Sequence, residues 1–423
     1  MSLEPALARQ IESALNLNEA VDLLQRAIGV PSITGREAAF SDLLIKELEQ
    51  TGVDQIVRRE FLPGRPNVWG WRKGSQPGPR ILFAGHTDTV HVRGWSEKWR
   101  GTERESPFGA AIVDGEIWGR GAADLKAGLC ASIMALRVVD RAKLPLKGEV
   151  MFGFVGDEES GEPGTGVSAG IKVLAAAIET GEMPRPDLAI YVEPTVLDIY
   201  AAQIGFFIAD ITLTGRSAYF GTPELGIDAV KAAHKVLQGL WDHSRALELS
   251  GEHKLVGRAF LLVTAISGGG YIAVPGECRM SLIRALRPGE DLDEASAAME
   301  ATIEDALKGT GVSLAITYPA GRNHPIGGTS CETDPMLSEV QRLSACLRGF
   351  APERGSIGGA HYWSEAPFLN SKLGIPTVYC APGDIRICHT LEERVSIEEY
   401  RHGILAFAAL LAGGGASITG REI

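Results

Sequence analysis

The stretch Arg80-Ile-Leu-Phe-Ala-Gly-His86-Thr-Asp88-Thr-Val90 sets an apolar run of strand length directly before a glycine and a polar cluster. The same grammar recurs twice. Glu149-Val-Met-Phe-Gly-Phe-Val155 runs into Gly156-Asp157-Glu158-Glu159, and Asp187-Leu-Ala-Ile-Tyr-Val192 runs into Glu193-Pro194. Helix-like patterns lie between them, at Leu125, Leu129, Ile133, Leu136 and Val139 and again over 170–180. Strands alternating with helices, with polar residues at the strand ends, are the signature of a doubly wound α/β sheet. Open sheets of that kind place ligands beyond the carboxyl ends of their strands.

Outward from this centre, the spacing predicts a helix over 6–28, a second over 37–49, strands over 54–61 and 66–72, and a loop over 91–117. The texture changes after residue 203. A strand over 205–213, a helix over 226–247, strands over 260–266 and 276–284, a helix over 291–307 and a strand over 311–318 give the β-α-β-β-α-β order of a ferredoxin-like split unit. The α/β texture then resumes with a helix at 334–348, a strand at 375–379 and a helix at 396–412, leaving 413–423 as a frayed end or short strand. The expected organisation is a catalytic domain over 1–205 and 323–423, interrupted by an inserted α+β domain over 206–322. A chain of 423 residues is too long for one ordinary core, which agrees with two domains.

Composition excludes several classes. A hydrophobic content of 45% rules out wholesale disorder. A net charge of −12 argues against nucleic acid and against an anionic membrane surface. The longest apolar run, 404–412, is too short to span a bilayer, and no basic-then-apolar leader is visible at the N-terminus. The six cysteines show no CxxC spacing, so neither a disulfide framework nor a thiolate zinc knuckle is indicated. A cytoplasmic protein is the expectation.

The polar clusters carry the chemistry. In Trp118-Gly-Arg-Gly-Ala-Ala-Asp124-Leu-Lys-Ala-Gly128 an acid stands between a glycine-rich turn and a helix start, where it could cap the helix or offer oxygen ligands. The glycines fit neither the dinucleotide fingerprint nor the P-loop. Asp88, two residues after His86, could accept the second N–H of a ligand histidine. Glu158 and Glu159 could be solvated loop charge. On an extended chain they point different ways, so one could bind metal and the other carry a proton. With Glu193 and His389, the inventory suits divalent cations, zinc first. It can serve two ions about 3.5–4 Å apart if one carboxylate bridges them. The other histidines, 91, 234, 243, 253, 324 and 402, have no cluster of partners and read as surface or packing residues.

Read together, Gly85-His-Thr-Asp-Thr-Val90, Asp114-Gly-Glu-Ile-Trp-Gly-Arg-Gly-Ala-Ala-Asp-Leu-Lys126, Asp157-Glu-Glu159, Glu193-Pro-Thr195, Gly374-Ile-Pro-Thr-Val and His389-Thr resemble, in order and over nearly the whole chain, the dinuclear zinc aminoacylase and carboxypeptidase family. That family includes acetylornithine deacetylase, succinyl-diaminopimelate desuccinylase and glutamate carboxypeptidases. The resemblance implies two divalent metal ions, zinc first, with cobalt or manganese as alternatives. Asp124 would bridge them, His86 and Glu193 would complete one site, and Glu159 and His389 the other. Glu158 would be general base and acid toward a metal-bridging water, and Asp88 would orient His86. The inserted domain would be a lid or dimerisation domain of a homodimer.

Two positions depart from the family pattern. Tyr219 stands where a histidine usually steadies the oxyanion, and Ile272 replaces a usual asparagine. Tyr219 can still donate a hydrogen bond. The segment Gly358–Ala366 also differs from the commoner Gly-Gly-Thr-Asp-Ala form; Ser364-Glu365-Ala366 is the best match to its end, and His361 and Trp363 could line a distinctive pocket. Arg284, Arg386 and His361 are candidate substrate-binding residues, with ordinary structural roles as the alternative for the arginines. The expected activity is hydrolysis of an amide bond in an N-acyl amino acid or small peptide with a free carboxylate. A homologue that binds metal without turnover is the alternative.

Overall fold

The computed structural model describes residues 2–160 and 164–415 and divides into two compact units. The first takes in the described residues of Met1–Ala201, Thr333–Gly358 and Ser364–Ile423; the second comprises Ala202–Glu332 and Gly359–Trp363.

The sheet of the first unit runs Gln55–Leu62, Arg65–Lys73, Lys147–Val155, Gln76–His86, Leu188–Tyr191, Thr377–Tyr379, Ile199–Gln203 in spatial order. Its four central strands are mutually parallel and the flanking ones antiparallel, so the sheet is mixed. Alternate residues of Gln76–His86 meet helices on opposite faces. Phe83 packs against Phe407 of the helix Ile397–Leu411, with ring centroids 5.0 Å apart. Leu82 lies on the side of Leu174, from the helix Ala169–Glu179, where both close on Gly153. Burial on both faces is what a continuous apolar run in a parallel strand reflects. His86, Val155 and Tyr191 are the last residues of three adjacent parallel strands, so the polar clusters that follow them collect at one edge of the sheet.

Local chemistry moves some of the expected boundaries. The helix expected over 6–28 is two helices, Pro5–Ala14 and Leu17–Gly29, because Asn16 leaves helical geometry and its side chain accepts from Glu19 N at the second helix start. The region 91–117 is not simply loop. It holds the short helix Trp95–Lys98 and the strands Ala111–Val113 and Glu116–Trp118, and the latter pairs with Arg394–Ser396. Asp124 does not cap the following helix. That helix begins at Ala127, while Asp124 has extended backbone angles and no capping bond. Of the C-terminal stretch read as a frayed end or strand, 416–423 lie outside the described residues.

The second unit is an antiparallel sheet ordered Phe260–Gly268, Glu277–Leu286, Gly205–Thr214, Ser313–Thr317. Gly205–Thr214 alternates strictly. Phe207, Ala209, Ile211 and Leu213 are buried among Val236 and Leu240 of the helix Ala229–Leu249 and Met299 and Ile303 of Leu292–Leu307. One helix-covered face and one open face explain the period of two. Among the described residues, no helix is long and apolar enough to cross a membrane.

Gly128 shows how tightly the first unit is built at the sheet edge. A Cβ there would lie 2.4 Å from Val192 O and 2.7 Å from Val192 Cβ. In an exposed helix, alanine in place of glycine stabilises by about 1 kcal/mol. Here the backbone clash reverses the sign. Gly128→Ala is expected to destabilise by about 1–3 kcal/mol in urea unfolding, because neither the helix nor the strand end can retreat freely.

Candidate metal centre

His86 closes its strand with its ring held by its own neighbour. Nδ1 lies 2.9 Å from the carbonyl oxygen of Asp88, which fixes the proton on Nδ1 and leaves Nε2 as a ligand atom. The carboxylate expected to do this does another job: Asp88 Oδ1 is 3.9 Å from Nδ1. The Asp88 carboxylate instead accepts from Glu158 N (3.3 Å), Glu159 N (2.9 Å) and Thr34 Oγ1 (3.1 Å). Asp88 thus orients His86 through its backbone and the two glutamates through its side chain. Burial pushes its carboxyl up to about 6.

Asp124 sits between two sets of side chains. Its Oδ1 lies 3.0 Å from His86 Nε2, which is itself 3.8 Å from Glu193 Oε1. Its Oδ2 lies 3.1 Å from His389 Nε2, which is 3.0 Å from Glu159 Oε1. His86, Asp124 and Glu159 each offer a ligand atom within 4.8 Å of the others. Glu193 is steadied by Ser364 Oγ, which donates to its Oε1 at 2.7 Å. Tyr191 OH donates to the buried Glu365 at 2.8 Å just behind.

The turn carrying Asp124 is held from a distant part of the chain. Pairing of Arg394–Ser396 with Glu116–Trp118 brings Glu393 beside Gly119, whose N–H donates to Glu393 O at 3.2 Å. Glu393 Oε1 then accepts from Ala123 N (3.2 Å) and Asp124 N (3.1 Å), while Oε2 pairs with Arg120. Arg120 also donates to Thr390 O at 3.0 Å and His91 O at 3.2 Å. Both members of this ion pair are fully buried.

The electrostatics of the cluster call for positive charge. Burial disfavours imidazolium at His86, yet contact with Asp124 and the nearby Glu193 raise its pKa well above the usual range. Burial is likewise outweighed at His389, which Asp124 and Glu159 push up to about 11. Burial works against ionisation of Asp124, but the two histidines bring its pKa down. Glu193 goes the other way: burial and the charge of Asp124 push it well up. Asp124 Oδ1 is buried and has no other partner among the described residues than His86 Nε2, 3.0 Å away at ion-pair distance. Two donor atoms facing one another in this way fit a cation between them. Carboxylate oxygens with imidazole nitrogens are the donor set of zinc and similar ions. Because the neighbouring carboxylates raise the pKa of both imidazoles, binding of a cation there would be coupled to proton release.

His86, Asp124, Glu159, Glu193 and His389 are therefore brought together, with Glu158 anchored beside them through its backbone. The remaining sequence candidates are placed differently. Tyr219, 63% exposed, packs against Phe220 with the rings tilted, in the second unit, where Ile272 is also exposed. His361 is exposed. Arg284 is no free substrate clamp: it is buried, bonded to Glu290 Oε1 at 2.7 Å and to Ala285 O. Arg386 lies on the surface and forks onto Asp384. Arg120, Glu393 and the bond from Ser364 escaped the sequence reading. Arg120 lies inside the glycine-rich turn, but nothing in the sequence pairs it with a glutamate 273 positions on.

A family model described as peptidase family M20/M25/M40 matches residues 82–413, which contain every residue of the cluster. The chain is 26% identical over 399 residues to a succinyl-diaminopimelate desuccinylase of Caulobacter sp. (strain K31), covering 93% of this chain and 95% of that protein. It is 27% identical over 405 residues to an acetylornithine deacetylase of Proteus mirabilis (strain HI4320), covering 90% and 93%. Its fold is similar to that of aminopeptidase PepT from Bacillus cereus ATCC 10987, with a TM-score of 0.70 at 21% identity over 94% of this chain and 99% of that one. The family match and the buried cluster of His86, Asp124 and Glu159 together mark a metal-dependent hydrolase of amide or peptide bonds. The chain belongs to peptidase family M20/M25/M40.

Proposed function

We propose that this chain hydrolyses the amide bond of an N-acyl amino acid or small peptide bearing a free carboxylate, at a centre for two divalent cations. The observation that carries the two-ion reading is Asp124: its two oxygens face separate histidine and carboxylate pairs, His86 with Glu193 and His389 with Glu159. Zinc is the first choice of ion, with cobalt or manganese as alternatives. Bound there, such ions supply Lewis acidity and an acidic water.

The chain's own residues do the rest. Glu158 follows the strand end with its N–H on Asp88, and its neighbour Glu159 faces His389. The two adjacent acids thus divide the work. Glu159 is a ligand, and Glu158 takes a proton from water and delivers it to the leaving nitrogen. Tyr219 stands where the family pattern has an oxyanion-steadying histidine, and its hydroxyl can donate to that oxygen.

We also propose a cytoplasmic homodimer. Six free, buried cysteines suit a reducing compartment. The strand Phe260–Gly268 pairs only with Glu277–Leu286 among the described residues, and exposes Phe260, Leu262 and Ile266. An apolar sheet edge of this kind invites pairing with a second copy.

Three outcomes follow. On a panel of N-acyl amino acids and dipeptides with zinc, cobalt or manganese, the wild type turns over at least one member. Glu158→Ala loses about 10²–10⁴-fold in kcat, the usual worth of a general base. Metal binding without turnover on any member would instead favour an impaired homologue that only binds ligand. Tyr219→Phe lowers kcat with little change in KM, and an unchanged kcat would remove the hydroxyl from the oxyanion step. Sedimentation of the wild type reads a dimer, which Leu262→Lys with Ile266→Lys converts to monomer; a monomeric wild type would defeat the dimer reading.

A further inference from the structure

His389 is the ligand with the weakest local hold. Its side chain is 54% exposed, whereas those of His86 and Asp124 are 1% and 6% exposed. It sits at φ 62°, in the left-handed region, between the short turn Ile385–Ile387 and the strand Arg394–Ser396. His86 is fixed by strand pairing with Val155 and by the Asp88 carbonyl; Glu193 is fixed by Ser364. The His389 segment is held by the Thr390 turn bond to Ile387 O (2.7 Å), by Trp99 Nε1 on Leu391 O (2.6 Å) and, next to His389 itself, by the guanidinium fork of Arg120 on Thr390 O (3.0 Å).

That fork belongs to a closed arrangement. Arg120 spends its guanidinium on Glu393, Thr390 O and His91 O, and its face lies 5.5 Å from the Trp95 ring. Glu393 spends its other oxygen on the N–H groups of Ala123 and Asp124. One buried ion pair therefore ties together the segment after Asp88, the turn of Asp124 and the segment of His389. It touches no ligand side chain.

We infer that Arg120 and Glu393 are a positioning pair that sets the affinity of the metal site shared by Asp124, Glu159 and His389, and leaves the site of His86 and Glu193 largely untouched. The inference rests on the two-ion reading above. Partners one step behind metal ligands change metal affinity by about 10–100-fold when removed. The asymmetry comes from the connections. Loss of the pair removes the buried bond beside His389 and leaves that exposed segment to its own turn bonds and to Trp99 Nε1 on Leu391 O (2.6 Å), while the anchors of His86 and Glu193 stay in place.

The test is calorimetric titration of the metal-free protein with cobalt(II), with the cobalt absorption spectrum recorded alongside. Glu393→Gln keeps an oxygen for the Asp124 N–H but leaves Arg120 buried without a counter-charge, which endangers folding. Arg120→Gln with Glu393→Gln removes both charges together and keeps the acceptor. Circular dichroism of the metal-free proteins confirms that the variant used is folded. The wild type takes up two cobalt ions. The folded variant takes up the first with wild-type affinity and the second about 10–100-fold more weakly. The spectrum of its one-cobalt form matches that of one-cobalt His389→Ala. Two sites of wild-type affinity in the folded double variant, or equal weakening of both, would overturn the inference while leaving the two-ion reading intact. A wild type that binds a single cobalt overturns both.

Discussion

Three carboxylates and two imidazoles share one largely buried place, and the first unit is built to tolerate that. Asp124, Glu159 and Glu193 are each buried, within ion-pair reach of a histidine, and under mutual repulsion that a solvent-exposed loop would screen. Such a cluster is costly without positive charge, and in a bound form that charge is the cation. What the fold supplies is restraint. Four members of the cluster are each backed by a second group: His86 by the Asp88 carbonyl, Glu159 by the Asp88 carboxylate through its N–H, Glu193 by Ser364, and Asp124 by Glu393. Preorganised ligands spend less of the binding free energy on ordering, which is how a donor set becomes a tight site.

The sheet makes this possible by ending its parallel strands together. His86, the turn after Val155 and Glu193 all leave adjacent strands at the same edge. Glycines let the next layer come close. A Cβ at Gly85 would meet Leu125, Val192 and Leu129 within 3.0 Å, and one at Gly128 would meet the backbone beside Glu193. The helix Ala127–Arg141 therefore begins against the strand end that bears Glu193, with its positive pole among carboxylates. Glycine-rich composition near Asp124 thus reflects packing distance, and has nothing to do with phosphate binding.

Much of the architecture was legible because burial writes a period into sequence. Runs such as Ile81–Ala84 must be apolar to lie between two helical layers, and polar residues directly after them must sit at the strand ends. The polar residues at the strand ends, His86, Glu158, Glu159 and Glu193, were legible for the same reason; Asp124 and His389 lie off the sheet strands, and their assignment came from the family resemblance. The atoms were less so. The Asp88 carboxylate was expected to face His86 Nδ1, whereas the Asp88 carbonyl makes that contact, a choice made by backbone geometry that composition does not record. The strands Ala111–Val113 and Glu116–Trp118 are too short to show a period, so their region read as loop. Asn16 breaks a helix whose apolar spacing continues across it. Glu393 stands between Glu392 and Arg394, which are paired with Lys98 and Glu116 at or near the surface, so its burial has no local signal. Arg284 carries the opposite lesson: a charge that looks available is spent on Glu290.

The catalytic unit is interrupted in sequence. His86, Asp124, Glu158, Glu159 and Glu193 all precede the second unit, while His389 and Glu393 follow it. A growing polypeptide therefore carries most of its donor set long before the last donor exists, and the turn of Asp124 waits equally long for the glutamate that receives its N–H groups. Synthesis passes through a stage in which a carboxylate-rich cluster lacks both its second imidazole and its buried arginine's counter-charge. The centre can be finished only after the whole inserted unit has been made, so the chain's own length acts as a timer on when the hydrolytic site is completed.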